Sequence, residues 1–228
     1  MGKANLELRP GVRVTRDAPL APERQPEVSD SEDQRVLSGY AAVFYDGTPG
    51  TEYDLGWGIV ERFAPGSFGE SIAKDDVLGL FQHDMSKLLG RTAADTLRLR
   101  EDDVGLRYEI DLPRSPLGDD IREQVSRRDI QGSSLTFFPR SYDVDEPVVD
   151  SEDVPTILTH TAVTVDDVGP VVRPAYTGTT AAMESGRAAG GADPVHELVR
   201  KWVAGRDAER AAIANRVRAM SVIADAGI

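Results

Sequence analysis

The sequence TLRLREDDVGLRYEIDL, residues 96–112, alternates apolar and charged side chains on either side of a short acidic turn. Leu97 and Leu99 alternate with arginines before the turn, and apolar residues occupy every second position from Leu106 to Leu112 after it. Successive side chains of a strand point to opposite faces of a sheet, so this period of two predicts an antiparallel hairpin with one buried face. The core of the chain is therefore expected to be built largely from β-structure.

Further segments with strand character lie on both sides of this hairpin. They combine short apolar or alternating runs with bounding Gly, Pro and Asp residues, and they occupy 39–44, 59–63, 77–82, 133–138 and 157–165. A helix is predicted directly after the hairpin, because Ser115 is a suitable N-cap residue and Pro116 suits the first helical position. We therefore expect an α+β fold.

The two ends of the chain differ in composition from this central region. Residues 17–35 are rich in Pro, Ser and charged residues, and they predict a flexible arm or loop. Residues 185–192 read SGRAAGGA, which is typical of a linker, and residues 193–228 carry apolar side chains at helical spacing. A helical C-terminal tail is therefore expected beyond the central region.

The composition excludes several classes of function. The chain has 228 residues, no cysteine and a formal net charge of −13. Without cysteine it has no disulfide, no thiolate metal site and no cysteine nucleophile. A strongly acidic chain repels phosphate groups, so we expect no nucleic-acid partner. Because the sequence has neither 18 consecutive apolar residues nor the apolar run of a secretory signal at its N-terminus, we expect no membrane association either.

A hydrolase without cysteine needs a serine or threonine nucleophile and a base that accepts its proton near neutral pH. Three histidines are available. His160 lies in an alternating segment, where we expect it to face solvent or a cross-strand partner, and His196 is expected on the surface of the tail. His83 directly follows the apolar segment 77–82, and catalytic side chains often emerge where strands end. His83 is therefore the strongest candidate base, and a structural histidine is the alternative.

Two adjacent serines open the segment 133–138. Ser133 and Ser134 follow Gly132, and glycine allows the backbone to approach a substrate closely. The pattern differs from the Gly-x-Ser-x-Gly motif of nucleophile elbows. Local chemistry therefore marks both serines as candidates and leaves a simple turn as the alternative.

Taken in order, segments between residues 39 and 178 resemble the prohead protease family of tailed bacteriophages, which is related in fold to the herpesvirus assemblins. The segments that carry the resemblance are GYAAVF at 39–44, ERFAPGSF at 61–68, LFQHD at 80–84 with LG at 89–90, the hairpin from 96 to 106, IQGSSLTF at 130–137, and the stretch 168–178 that ends in PAYTG. The resemblance implies a mostly antiparallel β-barrel core flanked by helices.

The resemblance also implies which residues are catalytic. Ser134 matches the nucleophile and His83 matches the general base, while Ser133 occupies the variable position before the nucleophile. Asp167 matches an acidic position on the last strand and is implied as the third member. It would hold the tautomer of the histidine and stabilise the imidazolium.

The third member has alternatives, and the family pattern is not followed throughout. Asp166 and Asp84 are further acidic candidates, and His160 is a candidate because the assemblins use a second histidine. Thr136 stands where the family usually has glycine. Gly169-Pro170 replaces a serine followed by an apolar residue, which predicts a local irregularity in the closing strand.

The implied function is that of a serine endopeptidase that cleaves the scaffold or delta segment of the phage major capsid protein, and itself, during prohead maturation. The portal protein and further copies of the chain are additional candidate partners. Such a protease acts in the cytoplasm of the bacterial host, inside the assembling prohead, and uses no cofactor and no metal. The main rival is a catalytically inactive capsid-assembly or scaffolding protein on the same fold. A hydrolase of small esters is a third possibility.

The implied domain organisation has three parts. An N-terminal strand and flexible arm span residues 1–36, the prohead protease domain spans 37–184, and the linker with the helical tail spans 185–228.

Overall fold

A computed structural model of the chain describes residues 13–17, 24–30, 35–48, 50–56, 58–145 and 154–172, together with the isolated helical positions 201, 204 and 205. The strands are β1 (Val14–Asp17), β2 (Glu27–Asp30), β3 (Arg35–Val43), β4 (Tyr53–Gly56), β5 (Ile59–Phe63), β6 (Leu78–Leu80), β7 (Leu88–Arg91), β8 (Leu97–Glu101), β9 (Gly105–Asp111), β10 (Gly132–Asp145) and β11 (Thr156–Val171). The helices are α1 (Gly69–Lys74) and α2 (Pro116–Ser126), with a short 3-10 helix at Thr92–Ala94. This rich content of strands with few helices confirms the α+β class.

The strands form two sheets. The larger sheet has the order β1-β10-β11-β5-β4, and β6 with its partner β7 is attached to β11. The smaller sheet has the order β2-β3-β9-β8. The sheets contact each other where Tyr108 of β9 meets Ser133 of β10, with the two hydroxyl oxygens 2.9 Å apart. Buried apolar residues of both sheets, such as Leu106 and Phe137, form one core.

The hairpin and the helix predicted from the sequence are both confirmed. In β8 and β9, Leu97 pairs with Ile110 and Leu99 pairs with Tyr108, so the apolar side chains share one face. Helix α2 begins after Ser115, whose hydroxyl accepts a hydrogen bond from the Gly118 amide at 3.4 Å. These elements were predictable because their signals are local in the sequence.

The expected closed barrel is wrong for the residues that the structure describes, because their sheets are open. The long strand β11 pairs in parallel with β5 over Thr156–His160 and in parallel with β6 at Asp167 and Val168. The larger sheet therefore branches along β11, and its main path ends at two separate four-residue strands, β1 and β4. Closure into a barrel needs the end strands to pair with each other, and these do not.

The N-terminal region has more regular structure than its composition predicted. Residues 27–30 were expected to belong to a flexible arm, and they form β2, which pairs with β3. Val28 packs against the core, which gives this short strand an apolar contact that the Pro-rich composition around it obscures.

The expected linker at 185–192 and most of the tail, including His196, lie outside the described residues. Among the residues that are described, no helix is long and apolar enough to cross a membrane.

Candidate active site

His83 is carried by a tight turn that follows β6. Strand β6 is held against the end of β11, and the Gln82 amide continues this contact by donating to the Pro170 carbonyl at 3.2 Å. Gln82 and His83 both have left-handed backbone conformations, with φ of 59° and 55°. Such conformations are uncommon outside glycine, and they persist where the surrounding structure enforces them. The turn thus directs the imidazole toward β10 and β11.

Ser134 and Asp167 lie on these two neighbouring strands. Thr136 pairs with Asp167, and Ser134 pairs with Gly169. The register shifts between the Thr136 and Phe137 pairs, so that Asp166 is an extra residue on β11. The sequence predicted an irregularity at Gly169-Pro170, but those two residues are paired in regular register, and the irregularity lies at Asp166 instead.

The structure brings the three residues into hydrogen-bonding contact. The Ser134 hydroxyl oxygen lies 2.6 Å from Nε2 of His83, and Nδ1 of His83 lies 2.5 Å from Oδ1 of Asp167. An ionised carboxylate only accepts hydrogen bonds, so Nδ1 carries the imidazole proton and Nε2 is left to accept the serine proton. This arrangement suits a serine nucleophile with a histidine base.

Two further side chains hold this arrangement. Arg13 donates from Nη2 to Oδ2 of Asp167 at 2.8 Å and from Nε to Oδ2 of Asp166 at 2.6 Å. The Thr136 hydroxyl lies 3.0 Å from Nδ1 of His83. Sequence reasoning noted Thr136 only as a departure from the family glycine and did not find Arg13 at all. The departure was itself a signal, because threonine carries a hydroxyl that glycine lacks, and this hydroxyl lies beside His83.

Gly169 allows the strand that carries His83 to approach β11. A Cβ atom placed on Gly169 would lie 1.9 Å from the carbonyl oxygen of Leu80, the last residue of β6. No side chain fits in that space without displacing the backbone of β6. The departure of Gly169-Pro170 from the family pattern therefore coincides with a close backbone contact between β11 and the strand that precedes His83.

The alternative candidates make other contacts. The Ser133 hydroxyl is paired with Tyr108, in the core between the sheets. Asp84 binds the amide and the hydroxyl of Ser86, and Asp166 binds Arg13. Among the described residues, neither carboxylate forms a hydrogen bond or an ion pair with His83.

His160 does not face solvent but contacts a cross-strand partner, Glu61 of β5, which is the second of the two expected environments. It is fully buried, with Nε2 2.8 Å from Oε1 of Glu61, and its ring packs against Phe63 and Phe137. Its environment reflects the parallel pairing of β5 with β11, which places Phe63 beside His160 and which no local sequence pattern reveals.

Glu61 is a buried carboxylate that sequence reasoning did not single out as a functional residue. It contacts the guanidinium of Arg16, through Nε at Oε2 and through Nη2 at 3.3 Å from Oε1. Burial alone would raise the pKa of Glu61, but the charge of Arg16 and the hydrogen bond from His160 outweigh it and lower the pKa to about 2. A signal was present in the sequence, because Glu61 lies in phase with Ile59 and Phe63 on the buried face of β5.

The serine is covered by the N-terminal strand. The Ser134 side chain is 0% exposed and Asp167 is 1% exposed, while the His83 side chain retains 20% exposure. The Ser134 hydroxyl oxygen also lies 3.2 Å from the carbonyl oxygen of Arg16. Strand β1 therefore lies directly over the nucleophile candidate.

A protein-family model described as caudovirus prohead serine protease matches residues 23–191 of the chain. The matched span contains His83, Ser134 and Asp167, and it begins after β1. Searches of curated proteins and of solved structures found no match.

Proposed function

Because the chain belongs to the caudovirus prohead serine protease family, we propose that it is an active endopeptidase in which Ser134 is the nucleophile, His83 the general base and Asp167 the residue that orients the histidine. The observation that carries the proposal is the continuous contact from Ser134 through His83 to Asp167. A family of serine proteases needs such a group, and these three residues supply it within the matched span.

The chemistry follows from the geometry of the three side chains. As Ser134 attacks a peptide carbonyl carbon, Nε2 of His83 takes the hydroxyl proton and then passes it to the leaving amine. This leaves the acyl group on Ser134 as an ester. His83 next takes a proton from water as the water attacks the ester, and it returns this proton to the Ser134 oxygen as the acid is released. Asp167 stabilises the imidazolium at both stages, with its charge held in place by Arg13.

We further propose that the substrates are the scaffold or delta segment of the phage major capsid protein and the protease itself, and that cleavage occurs inside the assembling prohead. The portal protein and a second copy of the chain are further candidate partners. In this proposal the protease domain is 37–184, flanked by the N-terminal region 1–36 and by the linker and tail at 185–228. The linker at 185–192 is the proposed site of self-cleavage, and the N-terminal arm is a second candidate.

The competing proposal is a capsid-assembly or scaffolding protein that keeps the fold without turnover. The full burial of Ser134 favours this assembly protein, since a serine that never contacts a substrate does not need to be accessible.

The test of both proposals is co-expression with the cognate major capsid protein, comparing the wild type with Ser134→Ala by intact mass. Shortened capsid protein or protease in the wild type alone supports the endopeptidase. Uncleaved capsid protein and uncleaved protease in both samples would support the assembly protein. Cleavage in both samples would show that another residue is the nucleophile, and Ser133 would be tested next.

A further inference from the structure

Strand β1 has the features of a peptide bound at a sheet edge, with one apolar side chain, Val14, packed in the core. It is four residues long, it pairs antiparallel with the edge of β10 from Phe137 to Ser134, and it lies before the span that the family model matches. An extended peptide that adds a strand to an exposed sheet edge is a general mode of peptide recognition. The edge of β10 used here is the part that carries the nucleophile candidate.

The position of β1 excludes another peptide from the same edge. The carbonyl oxygen of Arg16 lies 3.2 Å from the Ser134 hydroxyl oxygen, so Arg16–Asp17 is a peptide bond held beside the nucleophile. With β1 in place Ser134 has no exposed surface. A substrate that pairs with this edge must displace β1 and take its place.

The side chains of Arg13 and of the β1 residues that follow it alternate between solvent and the interior. Arg13 and Thr15 are exposed, whereas Val14 and Arg16 are buried. An arginine is an unusual residue for an inward position, and its guanidinium meets the carboxylate of Glu61. Thus the Arg16 carbonyl lies beside the Ser134 hydroxyl, while the Arg16 side chain enters the protein on the opposite face of β10, the face of its pairing partner Leu135.

Glu61 requires a cation at this position. Its carboxylate is fully buried, and removing the partner of a buried charge leaves a costly unpaired group. Two guanidinium nitrogens of Arg16 contact its two oxygens, a planar geometry that a lysine ammonium does not reproduce. The negative charge of the whole chain, −13, further favours a basic peptide over an acidic one.

We propose that β1 occupies the peptide-binding cleft of the active site, and that this cleft selects, through Glu61, an extended peptide segment with arginine at the position of Arg16. Glu61 is then the specificity-determining residue, and β1 is an internal occupant that closes the cleft until it is displaced. The inference rests on the proposed function, because the cleft serves catalysis only if Ser134 is the nucleophile.

The first test measures access to Ser134 in the full chain, as the rate of labelling by a fluorophosphonate probe. Arg16→Ala removes the buried charge contact of β1 and should raise the labelling rate by about tenfold or more. Arg16→Lys keeps the charge without the paired geometry and should label at an intermediate rate. Arg24→Ala is the matched control, since it breaks an arginine–aspartate pair with Asp46 away from β1 and should label like the wild type.

The second test measures selectivity with peptides. On the Arg16→Ala variant, the peptide VRVTRDA, which copies residues 12–18, should slow labelling, whereas VRVTADA should not at the same concentration. Adding Glu61→Gln should remove the difference between the two peptides. Melting curves identify any variant that does not fold, and Arg16→Lys then takes the place of Arg16→Ala.

The outcomes separate this inference from the proposed function. Equal labelling of the wild type and a folded Arg16 variant, or equal competition by the two peptides, would overturn the inference while Ser134 stays the nucleophile. Labelling that persists when Ser134→Ala is added to Arg16→Ala would instead overturn the proposed function.

Discussion

Replacing Asp167 by asparagine should reverse the tautomer of His83. Arg13 donates to Oδ2 of Asp167, so an asparagine would turn its carbonyl oxygen toward Arg13 and its amide NH₂ toward Nδ1 of His83. Nδ1 would then have to accept a hydrogen bond, which moves the imidazole proton to Nε2. A protonated Nε2 cannot take the proton of Ser134.

The size of the loss in kcat depends on which hydrogen-bond partners of the His83 imidazole remain in Asp167→Asn. In serine proteases this substitution lowers kcat by about 10⁴-fold. The Thr136 hydroxyl lies 3.0 Å from Nδ1 and can still accept from it, which retains part of the productive tautomer. We therefore expect a loss of about 10³–10⁴-fold in kcat, equivalent to about 4–5 kcal/mol of transition-state stabilisation.

The assay is the initial rate of cleavage of the cognate capsid protein by purified protein. Asp166→Asn is the matched control, because Asp166 is the neighbouring residue, binds the same Arg13 and forms no hydrogen bond or ion pair with His83 in the described structure. It should change the rate by less than about threefold, since a surface ion pair contributes little. A large loss in Asp166→Asn with little effect of Asp167→Asn would refute the reasoning, as would equal losses in both.

Three further predictions test the surroundings of the site. Thr136→Ala should lower kcat by about fivefold, the value of one neutral hydrogen bond to His83, without a comparable change in melting temperature. Gly169→Ala should lower the free energy of unfolding by about 2–4 kcal/mol in denaturant titrations, because its Cβ would lie 1.9 Å from a carbonyl oxygen of β6. Gly69→Ala is the control and should be tolerated, because the nearest atom to its Cβ would be 3.5 Å away. The pKa of Glu61 is lowered from 4.5 to about 2 in the folded state. The contribution of the Glu61 carboxylate to the free energy of unfolding is therefore complete above pH 4.5 and is lost as the pH falls toward 2. The free energy of unfolding should decline over that range by up to about 3 kcal/mol, and Glu61→Gln should flatten the decline.

Local signals in the sequence predicted the elements whose formation depends on nearby residues. The alternation around the turn at 101–103 predicted the hairpin of β8 and β9, and the Ser115-Pro116 pair predicted the start of α2. In both cases the residues that form the sequence pattern are also the residues that contact one another in the structure, and they lie within one short stretch of the chain. Helix capping and period-two alternation need no knowledge of distant strands.

The features that local signals could not predict all depend on pairing between distant segments. The parallel contact of β11 with β5 buries His160 beside Phe63, and the branching of the larger sheet along β11 leaves it open. Neither β5 nor β11 contains a residue pattern that specifies which strand lies beside it. The covering of Ser134 by β1 is likewise a contact across more than a hundred residues.

In the candidate site, too, some features could be predicted from the sequence and others depend on pairing between distant strands. Ser134 and His83 were proposed by matching segments to a family pattern, and the structure brings them within 2.6 Å of each other. The choice among Asp167, Asp166 and Asp84 was open in the sequence, because it depends on an extra residue in β11 and on the turn after β6. Of these three carboxylates, Asp167 is the one in contact with His83.

The most direct test of the central claim is to map the residue that a fluorophosphonate probe modifies. The full-length protein is labelled to completion and digested, and the adduct is located by tandem mass spectrometry, with His83→Ala as the control for activation by the base. We predict one adduct, on Ser134, formed at least about 10²-fold more slowly in His83→Ala. An adduct on Ser133 or another residue, or equal labelling rates with and without the histidine, would contradict the account.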